Sequence, residues 1–449
     1  MATVLTAIAL GVFGFMCLMS LFKPQWALVL IFSFFGYEQL ITSFVPFIAH
    51  RSWLMNVITI LVSGTAVLFA FIFGRRPFRG VWNINTALIF CLYIFAHFGI
   101  LYSMMPEAGV YFLKSGAPSV LLMLVLFPLL VFSAEQIRKM CVPLLLVGLA
   151  LILMILVSPR TELYGTRLLL DMSYTMGSGE FGNPLAIAEV GGLVLIVATL
   201  MEPKSKNPLI GILRVLAILF GLLISFLVGS RGQLVFSLFF AVLLYPVAHE
   251  IRDIKQFFIR AGSVGFVAVV LGLVIKMFLL SSNASERFSV ENISEGIAGR
   301  MYFITTMLNE YGARPANYLQ GLGSGSFNAL VSHDSDDFIY PHNLIIEVLT
   351  HHGVIGFTLL CGIFLLTAKH SLALIRAGFS GTFDRSSIAI VLALAGYVTM
   401  ISMKQGSFLL YPLPFYMYLV ISKLYYTWRI DSRTYEPSVQ YDQEYDSEY

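Results

Sequence analysis

Apolar runs of about 20 residues, broken by short polar connections, recur along nearly the whole chain. Twenty apolar residues in a helix cross a hydrocarbon core of roughly 30 Å. The pattern predicts spans at 3–22, 25–47, 53–73, 82–102, 117–134, 141–158, 183–201, 208–228, 232–248, 260–280, 343–367, 386–403 and 407–427. The expected fold class is therefore all-α: a polytopic integral membrane protein with about 12–13 transmembrane helices, the count depending on how the first two runs divide. Two polar stretches interrupt the rhythm, 159–182 and 281–342. A connection as long as the second is either functional or disordered. Its apolar clusters, Met301-Tyr302-Phe303 and Met307-Leu308, favour an ordered cap over the membrane. The organisation expected is one multi-pass domain over 1–430, with 281–342 inserted as a loop or cap. A disordered tail, 431–449, rich in Asp, Glu and Tyr, follows. No internal repeat appears, so the inverted repeat of many secondary transporters is missing from the pattern.

Charge orients the spans. Basic residues collect at Lys23; at Arg75, Arg76 and Arg79; at Arg138 and Lys139; at Lys204 and Lys206; at Arg252, Lys255 and Arg260; at Lys369, Arg376 and Arg385; and at Arg429 and Arg433. These fall at every second connection, as the positive-inside rule requires. The intervening connections offer mainly Arg51, Lys114, Arg160, Arg167 and Lys404. The loops 159–182 and 281–342 and the turn Gly229-Ser230-Arg231-Gly232 are then extracytoplasmic, and the C-terminus is cytoplasmic. With 58% hydrophobic and only 12% charged residues, against roughly 25% charged in soluble domains, a water-facing globular protein is excluded. The net charge of +3 and the lack of a basic stripe with interleaved aromatics exclude nucleic acid as a partner. Cys17, Cys91, Cys141 and Cys361 all lie in apolar runs without metal-ligand spacing and read as small hydrophobes. The first apolar run has no basic residues before it and no clear cleavage site, and is expected to be a retained helix.

Three elements could carry chemistry. Arg231 sits in a glycine-flanked turn between two apolar runs; a guanidinium at membrane depth is costly and usually functional. Its alternative is a hairpin arginine reaching for headgroups. Arg300 precedes an aromatic-rich helical segment, and the glycines Gly321, Gly323 and Gly325 form a tight turn expected to expose its backbone. No Lys-Ser/Thr follows them, so ATP use is unsupported. Third comes Tyr340-Pro341-His342-Asn343, opening the span that holds Glu347, His351 and His352. An imidazole there titrates near neutral pH and could take a proton from an acceptor hydroxyl; capping the helix or touching headgroups is the bland alternative. Glu347 and His351 share a helical face and are expected to pair inside the bundle. Neither a metal nor a cofactor is expected: the Asp334, Asp336 and Asp337 cluster reads as a solvated loop face.

Taken in order, these residues resemble the O-antigen ligase and polymerase superfamily of bacterial polysaccharide assembly. The resemblance covers about 180–365. It rests on Asn183-Pro184, Gly229-Ser230-Arg231-Gly232, Arg300 followed by Pro315 and the Gly321/Gly323/Gly325 run, Tyr340-Pro341-His342-Asn343, and Gly353-Val354-Ile355-Gly356. It implies a GT-C-like, metal-independent, inverting glycosyltransferase of the bacterial inner membrane, with its large loop periplasmic. The implied donor is an undecaprenyl-diphosphate-linked glycan. The acceptor would be another lipid-linked glycan (polymerase) or the lipid A core (ligase), with other polysaccharide-assembly proteins as possible partners. In that reading His342 is catalytic and Arg231 and Arg300 bind the diphosphate. Tyr340, Asn343, Glu347 and the three glycines support them. Nothing in the sequence marks lipid A recognition, which tilts the expectation toward the polymerase; a carrier or flippase of polysaccharide precursors is the competing class.

Overall fold

The structure, a computed structural model, describes residues 1–164, 167–177, 179–202, 207–250, 255, 262, 290–331, 341–412 and 414–435. Among the described residues, nine long helices fill its first part: α1 (Ala2–Phe22), α2 (Pro24–Phe44), α3 (Trp53–Ile72), α4 (Ile84–Phe98), α5 (Pro106–Leu130), α6 (Ala134–Leu156), α7 (Pro184–Leu200), α8 (Pro208–Leu227) and α9 (Arg231–Ala248). A cap follows, made of α10 (Val290–Gly312), α11 (Pro315–Gln320) and α12 (Ser326–Val331). The chain then returns through α13 (Leu344–Phe379), α14 (Arg385–Ser402) and α15 (Phe415–Tyr435). Among the described residues, ten helices are long and apolar enough to cross a membrane. The chain is thus a multi-spanning, all-α membrane protein. Its only described sheet is a two-stranded hairpin, β1 (Thr161–Tyr164) and β2 (Arg167–Leu170), in the first polar loop.

Many helix starts are written locally. Asn83, Ser133, Asn183, Asn207, Asn343 and Asp384 each cap a helix by accepting from a backbone N–H two or three residues on. Pro24, Pro106, Pro184 and Pro208 occupy the first helical position, where a missing N–H costs nothing.

Helices α2 and α7, mostly apolar, are buried nearly all round and form the centre. The outer helices α1, α3, α8 and α9 instead expose Phe15, Leu61, Phe71, Leu209, Ile212, Phe239 and Leu243, side chains suited to lipid. Packing between α7 and α8 depends on small residues: a Cβ on Gly191 would lie 2.6 Å from Ser225 Oγ and 2.9 Å from Gly221 O. Polar cross-links add to it. Asn85 Nδ2 on α4 donates to Thr367 Oγ1 of α13 (3.0 Å) and to Ser422 Oγ of α15 (2.8 Å).

Helices α4 and α13 pack together and run in opposite directions: Asn85, at the start of α4, meets Thr367 late in α13, while Gly99, just past the end of α4, lies against His352 early in α13. Near the start of α4, Gly80 presses on Lys423 and Thr427 of α15. Beyond its finish, Gly99 O accepts from Ser324 N of the cap (3.1 Å). We refer to these as the basic end and the cap end.

Several expectations need correction. The fifth span starts at Pro106 rather than 117, so Lys114 lies within a helix that continues through a π-helical turn at Leu121–Leu126. The sixth begins at Ala134, not 141. The last span is displaced to 415–435, because Phe408, Leu409 and Leu410 belong to a buried non-helical segment. Residues 431–435 of the expected tail therefore continue α15. The expected span 260–280 lies outside the described residues, apart from position 262, as do 281–289, 332–340 and 436–449.

Candidate functional site

The cap docks on α13 where that helix is broken. Gly353 adopts φ 60°, ψ −160° within an otherwise helical run, a conformation open essentially to glycine alone. The break leaves carbonyls of the preceding turn available. Thr350 O accepts from Leu322 N (2.8 Å) and His351 O from Gly323 N (2.9 Å), so backbone groups inside the bundle are satisfied by the glycine turn itself. Gly321, Gly323 and Gly325 all have φ of 80–89°. A Cβ on the first would overlap the backbone of His351, one on the second would meet Gly99 O, and one on the third Gly109 N. The turn is thus buried between α13, α4 and α5, not backbone-exposed. Its glycines permit close backbone approach, and Phe327, Met307, Tyr311 and Leu322 make a small apolar core beneath it.

That docking sets His342 at the mouth of α13. Asn343 caps the helix through Ile346 N (3.1 Å). Among the described residues His342 alone, apart from glycines, has a positive φ, 58°; for a histidine this is an uncommon and costly geometry, of the kind that marks functional positions. Its ring stacks on Phe303 of α10 (centroids 6.4 Å apart, planes at 21°). Burial, then the positive charges of Arg300 and Lys404, hold the imidazole below its ordinary pKa. It is therefore neutral near pH 7 and able to accept a proton.

Lys404 links this group to Arg231. Its Nζ donates to Gln233 Oε1 (2.8 Å) on the first turn of α9. Gln233 Nε2 donates in turn to Gln405 Oε1 (2.8 Å). Gly232 is where Lys404 crosses: a Cβ there would overlap its Cε. Arg231, beside it, is partly buried and leaves Nη1 without a hydrogen-bond partner. A buried guanidinium N–H lacking an acceptor is an open position for an anionic oxygen. Arg231, Arg300, His342 and Lys404 thus stand at one end of the bundle, with Arg300 and Lys404 both acting on His342.

Glu347 does not pair with His351. Its carboxyl group accepts from Ser407 Oγ and from Phe408 N (3.3 Å), which pins the non-helical segment carrying Lys404 and Gln405 against α13. Both ring nitrogens of His351 and of His352 are buried without hydrogen-bond partners. Tyr340 and the three aspartates lie outside the described residues. A cleft runs along this end, lined by Phe35, Asn183, Glu189, Gln405 and Tyr411; carboxylate, amides and phenol together suit hydroxylated ligands. Sequence reading singled out neither Lys404 nor Glu189. The signal for Lys404 was its position: a basic residue on a connection where the positive-inside rule expects few. The sequence matches no protein-family model and no curated protein.

Proposed function

We propose that this protein is a glycosyltransferase that polymerises undecaprenyl-diphosphate-linked oligosaccharide repeat units at the extracytoplasmic face of a bacterial inner membrane. The observation that carries the reading is the meeting of a neutral, strained His342 with Arg300 and Lys404 at the cap end, beside an Arg231 whose Nη1 has no acceptor. Guanidinium groups suit a diphosphate leaving group through their planar donors. As the anomeric C–O bond breaks, negative charge grows on the diphosphate, and fixed cations stabilise that charge more than the ground state. His342 takes the proton of the acceptor hydroxyl as its oxygen attacks the anomeric carbon from the opposite face, inverting the configuration. Burial, with Arg300 and Lys404 nearby, keeps the imidazole neutral between turnovers. Glu347 and Ser407 position Lys404, and the glycine turn positions His342. Breaking the donor's own sugar–diphosphate bond drives the transfer.

The test incubates purified protein with labelled lipid-linked repeat units, with and without a lipid A core acceptor. A ladder of lipid-linked chains is the expected result. Product only on the core would reassign the protein as a ligase using the same residues. No product with either acceptor would overturn the transferase reading and return the transport alternative.

A further inference from the structure

The basic end of the bundle holds a second site that the proposed transfer chemistry does not use. A cavity of about 610 Å³ opens there, between the connection joining α3 to α4, the turn from α5 to α6, the turn from α13 to α14, and the end of α15. Its lining includes Arg75, Arg76, Arg79, Phe132, Trp428 and Asp431. Three guanidinium groups therefore face one carboxylate. Arg79 and Asp431 pair at 2.6 Å, leaving Arg75 and Arg76, both exposed, on the rim.

The walls are fixed from behind. Lys423, 2% exposed, donates from Nζ to Pro77 O (2.6 Å) and Pro128 O (2.8 Å), tying the arginine loop and the α5–α6 turn to α15. Arg75 Cζ and Lys423 Nζ both lie over the Phe132 ring, 5.6 Å and 5.5 Å from its centroid. Gly80, at φ 73°, lets the loop lie on α15, since a Cβ there would come 2.8 Å from Lys423 O. A preformed, net-cationic pocket with an aromatic wall, at the end of a helix bundle, has the chemistry that receives a phosphate ester.

We propose that this cavity binds a phosphate ester group through Arg75, Arg76 and Arg79, with Asp431 as the internal competitor for Arg79. Such a group has two sources, the headgroup of an anionic phospholipid or a soluble phosphate. The experiment measures retention of phosphatidylglycerol and phosphatidylcholine by the purified full-length protein in mixed micelles, with and without added inorganic phosphate. Selective retention of phosphatidylglycerol is expected, and each of Arg75→Gln and Arg76→Gln should weaken it by about fivefold. Asp431→Asn should strengthen it, a change that a merely misfolded variant would not produce. Phosphatidylglycerol held against excess inorganic phosphate identifies the lipid source; displacement by inorganic phosphate at equal charge concentration identifies the soluble one. Equal retention of both lipids by wild type and arginine variants, with no effect of phosphate, would overturn the proposal. Glycan transfer should be unchanged in all three variants, so failure here is separable from failure of the transferase reading.

Discussion

Both ends of the bundle gather cations, but they hold them differently. At the basic end several meet carboxylates, Arg79 with Asp431, and Arg138 and Lys139 with Glu135, while Arg75 and Arg76 stay exposed on the rim of the cavity. At the cap end Lys404 rests on the amide oxygen of Gln233, and Arg231 keeps a buried N–H without an acceptor. Exposed ion pairs contribute little and are screened by salt. A guanidinium held in a partly buried, glycine-lined turn keeps one donor, Nη1–H of Arg231, for something else. Surroundings, rather than the number of positive charges, separate the two clusters: exposed side chains around an open cavity at one end, partly buried ones beside a histidine at the other.

The sharpest way to break this comparison is at His342. His342→Ala should lower the glycan transfer rate by about 10²–10⁴-fold, the usual worth of a general base, at unchanged membrane abundance; retained transfer would remove the catalytic role. Arg231→Gln should reduce kcat by about 10²–10³-fold, as expected for one lost donor to a developing anion, and Arg231→Lys should restore only part of it. Gly321→Ala places a Cβ into the His351 backbone at a φ reserved for glycine. It should lower stability by at least about 2 kcal/mol, read as earlier thermal unfolding and faster tryptic cleavage at Arg300 and Arg314. Lys404→Gln sharpens the electrostatics. His342 loses its basic form as pH falls through its depressed pKa, so removing a neighbouring positive charge raises that pKa. The acid limb of the pH–rate profile should then move to higher pH. An unmoved limb would separate Lys404 from His342. Smallest of all, Arg79→Gln at the basic end should change stability by no more than about 1 kcal/mol and leave transfer intact.

Much of the framework was legible because a membrane span has a length and a composition that few other elements share. The errors came where those signals part company. Pro106-Glu107 reads as a polar connection yet opens α5. Phe408-Leu409-Leu410 reads as the start of the last span yet packs as a non-helical segment beneath Glu347. Arg231 and His342 stood out in sequence because a lone cation and a Pro-His-Asn helix opening are rare at membrane depth. Lys404 did not, because its partner Gln233 lies on a different helix and only the fold brings them together. The pairing of Glu347 with His351 failed for the same reason: a helical face permits it, but Ser407, distant in sequence, takes the carboxyl group. The glycine run was visible as a turn, while its burial against the broken α13 depends on the positive φ at Gly353.

The division of labour at the cap end is open to one direct measurement: the affinity of the purified protein for undecaprenyl diphosphate itself, which lacks any sugar to transfer. The expected result is that Arg231→Gln with Arg300→Gln weakens binding at least about tenfold, consistent with loss of charged hydrogen bonds, while His342→Ala binds as tightly as wild type. Equal affinity in all three proteins would contradict the assignment of the diphosphate to the arginines and of proton transfer to the histidine.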